Sequence, residues 1–188
     1  MITAVKTPLD TETACVLQAG ERVMISGVIY VMRDAAHKRL IDLMQAGERL
    51  PFELAGQIIY YAGPCPARPG QVIGSVGPTT SGRMDVFTPM LLDKGLKGMI
   101  GKGHRSPAVV ESIIKNAAVY FAAIGGAGAL LATAVKEAEV LAFQDLGTEA
   151  ICRLVVEDFP AIVAIDSRGE NLYISGREVY LKTAREHA

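Results

Sequence analysis

The chain has 188 residues, half of them apolar and about a fifth charged, with a formal net charge of −1 at pH 7. That composition describes a soluble globular protein with a real core, read here as one domain over residues 1–188. The near-neutral charge speaks against a surface built for nucleic acid or anionic membrane, either of which needs a basic excess.

The first strand-like run is Val23–Val31. It hands over to a helical pattern that opens at Asp34, a capping residue, and closes at Gly47. Gln57–Tyr61 and Gln71–Val76 read as the next strands, the second feeding a turn, VGPTTSGRMD, that opens another helix. Gly98–Ile100 is a further strand. After it, Ser106 and Pro107 start a helix as N-cap and first-turn residue, continuing through Ile113 and Ile114. The uncharged stretch Ala117–Val135 approaches the length of a membrane span. Its alanines and its glycine break fit a buried strand, Val119–Ile124, then a glycine turn and a small-residue helix. Val140–Phe143 and Ala161–Ile165 are the last strands expected. They lack clear crossover helices, so the class is α/β with a mixed or partly antiparallel sheet.

Polar residues gather where strands end. Arg33 follows Val23–Val31, Thr79–Arg83 follows Gln71–Val76, and Lys102 follows Gly98–Ile100. The carboxyl ends of strands are where an α/β sheet offers its crevice, and helix N-termini with free N–H groups there suit an anion. In the Thr79–Arg83 turn, Gly77 and Gly82 would permit unusual backbone geometry and Pro78 would stiffen the approach. Thr79, Thr80 and Ser81 add hydroxyls, and Arg83 adds a fork of donors that matches a carboxylate or phosphate. The same residues also read as a helix cap followed by a surface arginine. Arg33 and Lys102, each taken singly, read as solvated cations.

Other motifs fail on inspection. Gly101-Lys102-Gly103 lacks both the leading glycine and the serine or threonine of a phosphate loop. Gly126-Ala-Gly128-Ala-Leu-Leu131 has leucine where a dinucleotide fingerprint needs glycine, and reads as close helix packing. His37, one turn into a helix, and His104, beside Lys102, are acid–base candidates or simply structural residues. Cys65, between Pro64 and Pro66, is a reactive thiol or a structural one. Cys15, Cys65 and Cys152 lie far apart, with no CxxC or Cys/His cluster and so no metal-site spacing. Their odd number and the lack of a secretory leader set the expectation of a reducing cytoplasm.

Four strings in order then carry a resemblance: ISGVIYVMRDAAH over Ile25–His37, YAGP over Tyr61–Pro64, GPTTSGRMD over Gly77–Asp85 and GMIGKG over Gly98–Gly103. Together they resemble class I, iron–sulfur-dependent fumarate hydratase, specifically the β subunit of its two-chain form or the C-terminal domain of its single-chain form. L-Tartrate dehydratase β subunits share the pattern. The resemblance implies a three-layer, swivelling β/β/α domain with a mixed sheet. It also implies a hydro-lyase reaction, the reversible hydration of fumarate to L-malate, a step of the tricarboxylic acid cycle. A [4Fe–4S] cluster would be held by the partner α subunit, with no metal ligand from this chain. The assembly would be α2β2, with a homo-oligomer for the isolated chain. Carried over residue by residue, Arg33, Arg83 and Lys102 would hold the substrate's carboxylates, Thr80 would help bind it, and Thr79 would be the base. No role carries over to His37 or His104. Tartrate enzymes often differ at the positions of Gly82 and Asp85, so those two residues favour fumarate. A different class of function is a free-standing anion-binding regulatory module that needs no partner.

Overall fold

A computed structural model describes residues 2–186, with side chains through residue 181. In chain order it runs β1 (Ile2–Lys6), α1 (Thr11–Val16), β2 (Arg22–Val31), α2 (Asp34–Ala46), β3 (Ile58–Tyr60), α3 (Thr88–Asp93), β4 (Gly98–Gly101), α4 (Pro107–Asn116), β5 (Val119–Ala122), α5 (Gly128–Thr133), β6 (Val135–Ala142), β7 (Ile151–Ile165) and α6 (Leu172–Glu186). Short 3₁₀ segments cover Ser81–Met84 and Gln144–Glu149.

The seven strands form one sheet in the order β1-β2-β3-β4-β5-β7-β6, and β2 also pairs with β7. That extra pairing closes β2, β3, β4, β5 and β7 into a ring. Within it β2 to β5 are parallel neighbours, while β7 runs antiparallel to β5 on one edge and to β2 on the other. β1 lies beside the first half of β2, and β6 beside the first half of β7. The result is the mixed α/β architecture expected from the sequence, with the strand edges inside the ring used up by neighbours.

Alternation along the parallel strands sorts their side chains between two cores. Ile25 and Ile29 of β2, Ile58 and Tyr60 of β3, and Val119 and Phe121 of β5 meet inside the ring with Leu154 and Phe159 of β7. Tyr30, Ile59, Met99 and Tyr120 point the opposite way and pack with Leu40 of α2, Leu91 of α3 and Ile113 of α4. Strands buried on both faces read as unbroken apolar runs, which is why even the short β4 stood out in the sequence.

Several boundaries differ from expectation. Gln71–Val76 is not a strand. Its bonds go to a local loop and to α5: Cys65 N–H to Ser75 C=O, Gly74 N–H to Cys65 C=O, and Val76 N–H to Gly128 C=O. The segment facing it contains Pro64 and Pro66, which have no N–H to extend a ladder. β7 starts ten residues before the expected Ala161, passing through Glu157, Asp158 and Pro160. Glu157 and Asp158 form a bulge, with Asp158 at φ +53° and its N–H donated to the Ser26 hydroxyl at 3.0 Å, while Pro160 pairs in register with Met24. β6 begins at Val135 rather than Val140, because Lys136, Glu137 and Glu139 lie on an exposed strand that tolerates charge. The Ala117–Val135 stretch resolves as expected into β5, a glycine turn and α5, and among the described residues no helix is long and apolar enough to cross a membrane.

Phe159 has no exposed surface, and its ring stands edge-on to Tyr60 with centroids 5.3 Å apart. Phe159→Ala should therefore cost about 3–5 kcal/mol, read as a lower denaturation midpoint in urea at unchanged slope. A loss below about 1 kcal/mol would mean that the ring interior is not a packed core.

Candidate functional site

The parallel run of β2 to β5 puts four strand ends side by side. Arg33 follows β2, Gly63 follows β3, Lys102 follows β4 and Gly125 follows β5. The Thr79–Arg83 turn does not cap a strand of its own, as the sequence reading had it. Instead it docks onto its neighbours' ends. Pro78 bridges Ala62, Thr79 donates its N–H to Tyr61 C=O at 2.8 Å, and Thr80 pairs with Lys102 as a short parallel extension of the sheet.

Ser81 locks that extension. Its N–H donates to Lys102 C=O at 2.9 Å, and its buried hydroxyl accepts from Lys102 N–H at 3.0 Å and from the Tyr120 hydroxyl at 2.9 Å. The hydroxyl sits where a side chain on residue 101 would lie, so only glycine fits at Gly101. Gly77 and Gly82 have no such role. Neither adopts a left-handed conformation; Gly77 packs beside Gly128, and Gly82 faces open space near His104 C=O.

Side-chain contacts join the remaining residues. Arg83 Nη2 donates to Thr79 Oγ1 at 2.7 Å and lies 3.1 Å from Asp34 Oδ2. Arg33 Nη2 is 3.2 Å from Glu149 Oε1, and its guanidinium packs against Gly63, where a Cβ would come within 3.0 Å of Cζ and Nε. Lys102 is exposed, its stem passing Gly125. The four residues expected to act together thus share one edge: Arg33 and Arg83 are linked through Asp34, the chain neighbour of Arg33, and Lys102 through the Thr80–Ser81 backbone.

The cap reading of the turn finds no support. Thr80 stands at the N-cap of a four-residue 3₁₀ segment yet makes no side-chain cap bond. Nor is the first turn of α2 left with all its N–H groups free as expected, since Ala35 N–H donates to Glu149 Oε2 at 2.9 Å. Below the turn, Asp85 accepts from Arg105 Nε at 2.7 Å and from Ser106 N–H at 2.6 Å. The Arg105 side chain is fully buried, donates to Thr88 Oγ1 at 2.8 Å, and lies over the rings of Tyr61 and Tyr120. Burial opposes its charge, but Tyr61 and Asp85 outweigh that and hold its pKa above the ordinary value. Sequence reasoning missed Arg105, Glu149 and the role of Asp34. A charged residue in a polar loop or at a helix start signals nothing until its partner is known.

His37 is buried rather than facing the edge. Its ring packs against Tyr61 and Phe87, and Nδ1 meets Arg33 C=O at 3.1 Å, a contact that requires Nδ1 to carry the proton. Nε2 is then a buried acceptor without a donor. His104 is exposed beside Tyr173, ring centroids 4.9 Å apart, and Cys65 is exposed in its proline-bounded loop.

Comparison with known proteins adds to this geometry. The family model described as Fumarase C-terminus matches residues 3–176. The chain is 39% identical over 172 residues to Fumarate hydratase 2 of Leishmania major, covering 89% of this chain and 30% of that protein. It is 41% identical over 154 residues to the anaerobic class I fumarate hydratase of Escherichia coli K12, covering 81% and 28%. It is 39% identical over 173 residues to the putative L(+)-tartrate dehydratase subunit beta of Methanocaldococcus jannaschii, covering 88% of this chain and 89% of that one. The chain therefore spans under a third of the fumarate hydratases it matches and most of the tartrate dehydratase subunit.

Burial pulls the pKa of His37 from 6.5 to about 4. A folded pKa below the unfolded one gives stability that is present above the unfolded value and lost as pH falls toward the folded one. Stability should therefore drop between about pH 6.5 and pH 4, by about 3 kcal/mol from this group at 1.36 kcal/mol per pH unit. Urea unfolding of wild type and His37→Asn at both ends of that window measures it. The pH-dependent loss should shrink in the variant, and an equal loss in both proteins would assign the acid sensitivity to other groups.

Proposed function

This chain belongs to the fumarase C-terminus family, and from that premise we propose that it supplies the carboxylate-binding side of a hydro-lyase that interconverts fumarate and L-malate. The observation that carries the reading is the 2.7 Å bond from Arg83 to the Thr79 hydroxyl, on the edge that also holds Arg33 and Lys102. A dicarboxylate brings two negative charges, and removal of the proton beside one carboxylate adds a third as an aci-carboxylate. Two arginines and a lysine are suited to that build-up, and a preorganised donor contributes about 2.7–4 kcal/mol where water is excluded.

In the direction from malate, Thr79 Oγ takes the carbon-bound proton. An aliphatic alkoxide is a strong base but is scarcely populated unless charge stabilises it. Arg83, donating directly to that oxygen, is the group placed to do so. Thr80, exposed beside it, helps orient the substrate. Departure of the hydroxyl group is assigned to no residue of this chain.

The cysteines do not suit a cluster. Cys15 and Cys65 are exposed and Cys152 is buried, and among the described residues no group of three or more His, Cys, Asp or Glu is placed to hold a metal ion. We therefore assign the [4Fe–4S] cluster implied by the family to a partner α subunit. The coverage of the tartrate dehydratase subunit supports a second reading, dehydration of L-tartrate on the same edge.

With an α subunit co-expressed and cluster-loaded under anaerobic conditions, malate formation from fumarate should be measurable. Arg83→Met should lower kcat by about 100-fold or more, and Thr79→Ala should do so while Thr79→Ser keeps part of the activity. An Arg83→Met enzyme retaining more than about a tenth of normal turnover would remove Arg83 from contact with developing charge. Parallel assays with L-tartrate decide between the two substrates by kcat/KM.

A further inference from the structure

The segment Gln144–Glu149 lies along α2 and is tied to it at both ends. Arg39 binds Asp145 through both guanidinium nitrogens, at 2.7 and 2.8 Å, and stacks over Phe143 at 4.9 Å. At the other end Glu149 uses both carboxylate oxygens, Oε1 on Arg33 Nη2 at 3.2 Å and Oε2 on the N–H of Ala35 at 2.9 Å. The backbone here also closes against Gly63, where a Cβ would come 3.1 Å from Thr148 C=O. Glu149 thus serves as the N-cap that α2 lacks locally, since Arg33 occupies the cap position and makes no cap bond.

We propose that Glu149 is the positioning residue for Arg33 and for the start of α2. It acts through Arg33 and does not touch the diacid. The geometry favours positioning over competition with substrate. Oε2 is committed to the helix end, so the carboxylate stays in place when a ligand reaches Arg33. Arg33 Nε has no acceptor, so the guanidinium is oriented by Glu149 on Nη2 and by the bare face of Gly63. The same helix start carries Asp34, which contacts Arg83, which in turn holds the Thr79 hydroxyl. One carboxylate, 114 residues from Ala35 in the chain, therefore sets the first link of a contact chain that ends at the proposed base.

This inference rests on the reading of Arg33 as a carboxylate ligand, and its test has an arm that does not. In the full-length chain, NMR hydrogen exchange would be followed at Ala35 N–H and Arg33 Nε–H for wild type, Glu149→Gln and Glu149→Ala. Glutamine can still accept from Ala35 but no longer offers Arg33 a charge, so Ala35 should keep its protection while exchange at Arg33 Nε–H rises about tenfold. Glu149→Ala should release both. In the assembled enzyme, Glu149→Gln should raise KM for the diacid about tenfold with kcat within about threefold, and should have no further effect on KM in an Arg33→Met background. Unchanged Arg33 exchange in Glu149→Gln would overturn the proposal, as would an equal KM penalty with and without Arg33. A wild-type complex with no activity on any diacid would end the proposed function, and the exchange measurements would still decide what Glu149 holds.

Discussion

Backbone pairing between β2 and β7 closes the sheet on itself, and the placement of the site follows from that closure. β2 must serve three neighbours: β1 along its first half and β3 at its end on one edge, with β7 along the other. The parallel strands β2 to β5 consequently end on a common rim. A cation that follows one of them is a neighbour of whatever follows the next. Both faces of β3 to β5 and of the end of β2 are buried, so neither register nor facing can slip without exposing a core.

On that rim the protein sets cations against its own carboxylates. Arg83 has Asp34, Arg33 has Glu149, and beneath them Arg105 has Asp85. These pairs do different work according to depth. The Arg83 and Asp34 side chains are 49% and 39% exposed, so that pair is weak and easily exchanged for a ligand. The Arg105 side chain is wholly buried; removing either partner there would strand a charge at a cost of about 3–5 kcal/mol. The deep pair fixes the turn, the shallow Asp34 pair leaves Arg83 available, and Glu149, held on Ala35 N–H, stays beside Arg33.

The turn is cross-braced rather than merely flexible. Ser81 and Tyr120 join it to the end of β4, Tyr61 C=O holds Thr79, and Asp85 anchors its far side to Arg105 and Ser106. Thr79 and Arg83 therefore project from a rigid support, which is what a preorganised electrostatic site requires. His37 belongs to this support. Neutral and buried, it holds the carbonyl of Arg33 from beneath.

Local sequence was sufficient wherever a signal is carried by adjacent residues. The doubly buried strands, the Asp34-to-Gly47 helix, the serine–proline helix start and the glycine break after β5 all follow from periodicity and backbone chemistry within a few positions. Arg33 and Lys102 were legible in the same way as cations just past a strand, whereas Thr79 and Arg83 were put there through Gln71–Val76, which is no strand; the order of all four in the chain carried the family resemblance. Tertiary structure alone decided what depends on distant partners. The bulge at Glu157 and Asp158 inside β7, the loss of Gln71–Val76 as a strand, and the pairing of Glu149 with Arg33 and of Asp85 with Arg105 are set by groups far along the chain. Charge and hydrogen bonding act through space, so their partners become visible only once the ring of strands has brought them within 3 Å or so of one another.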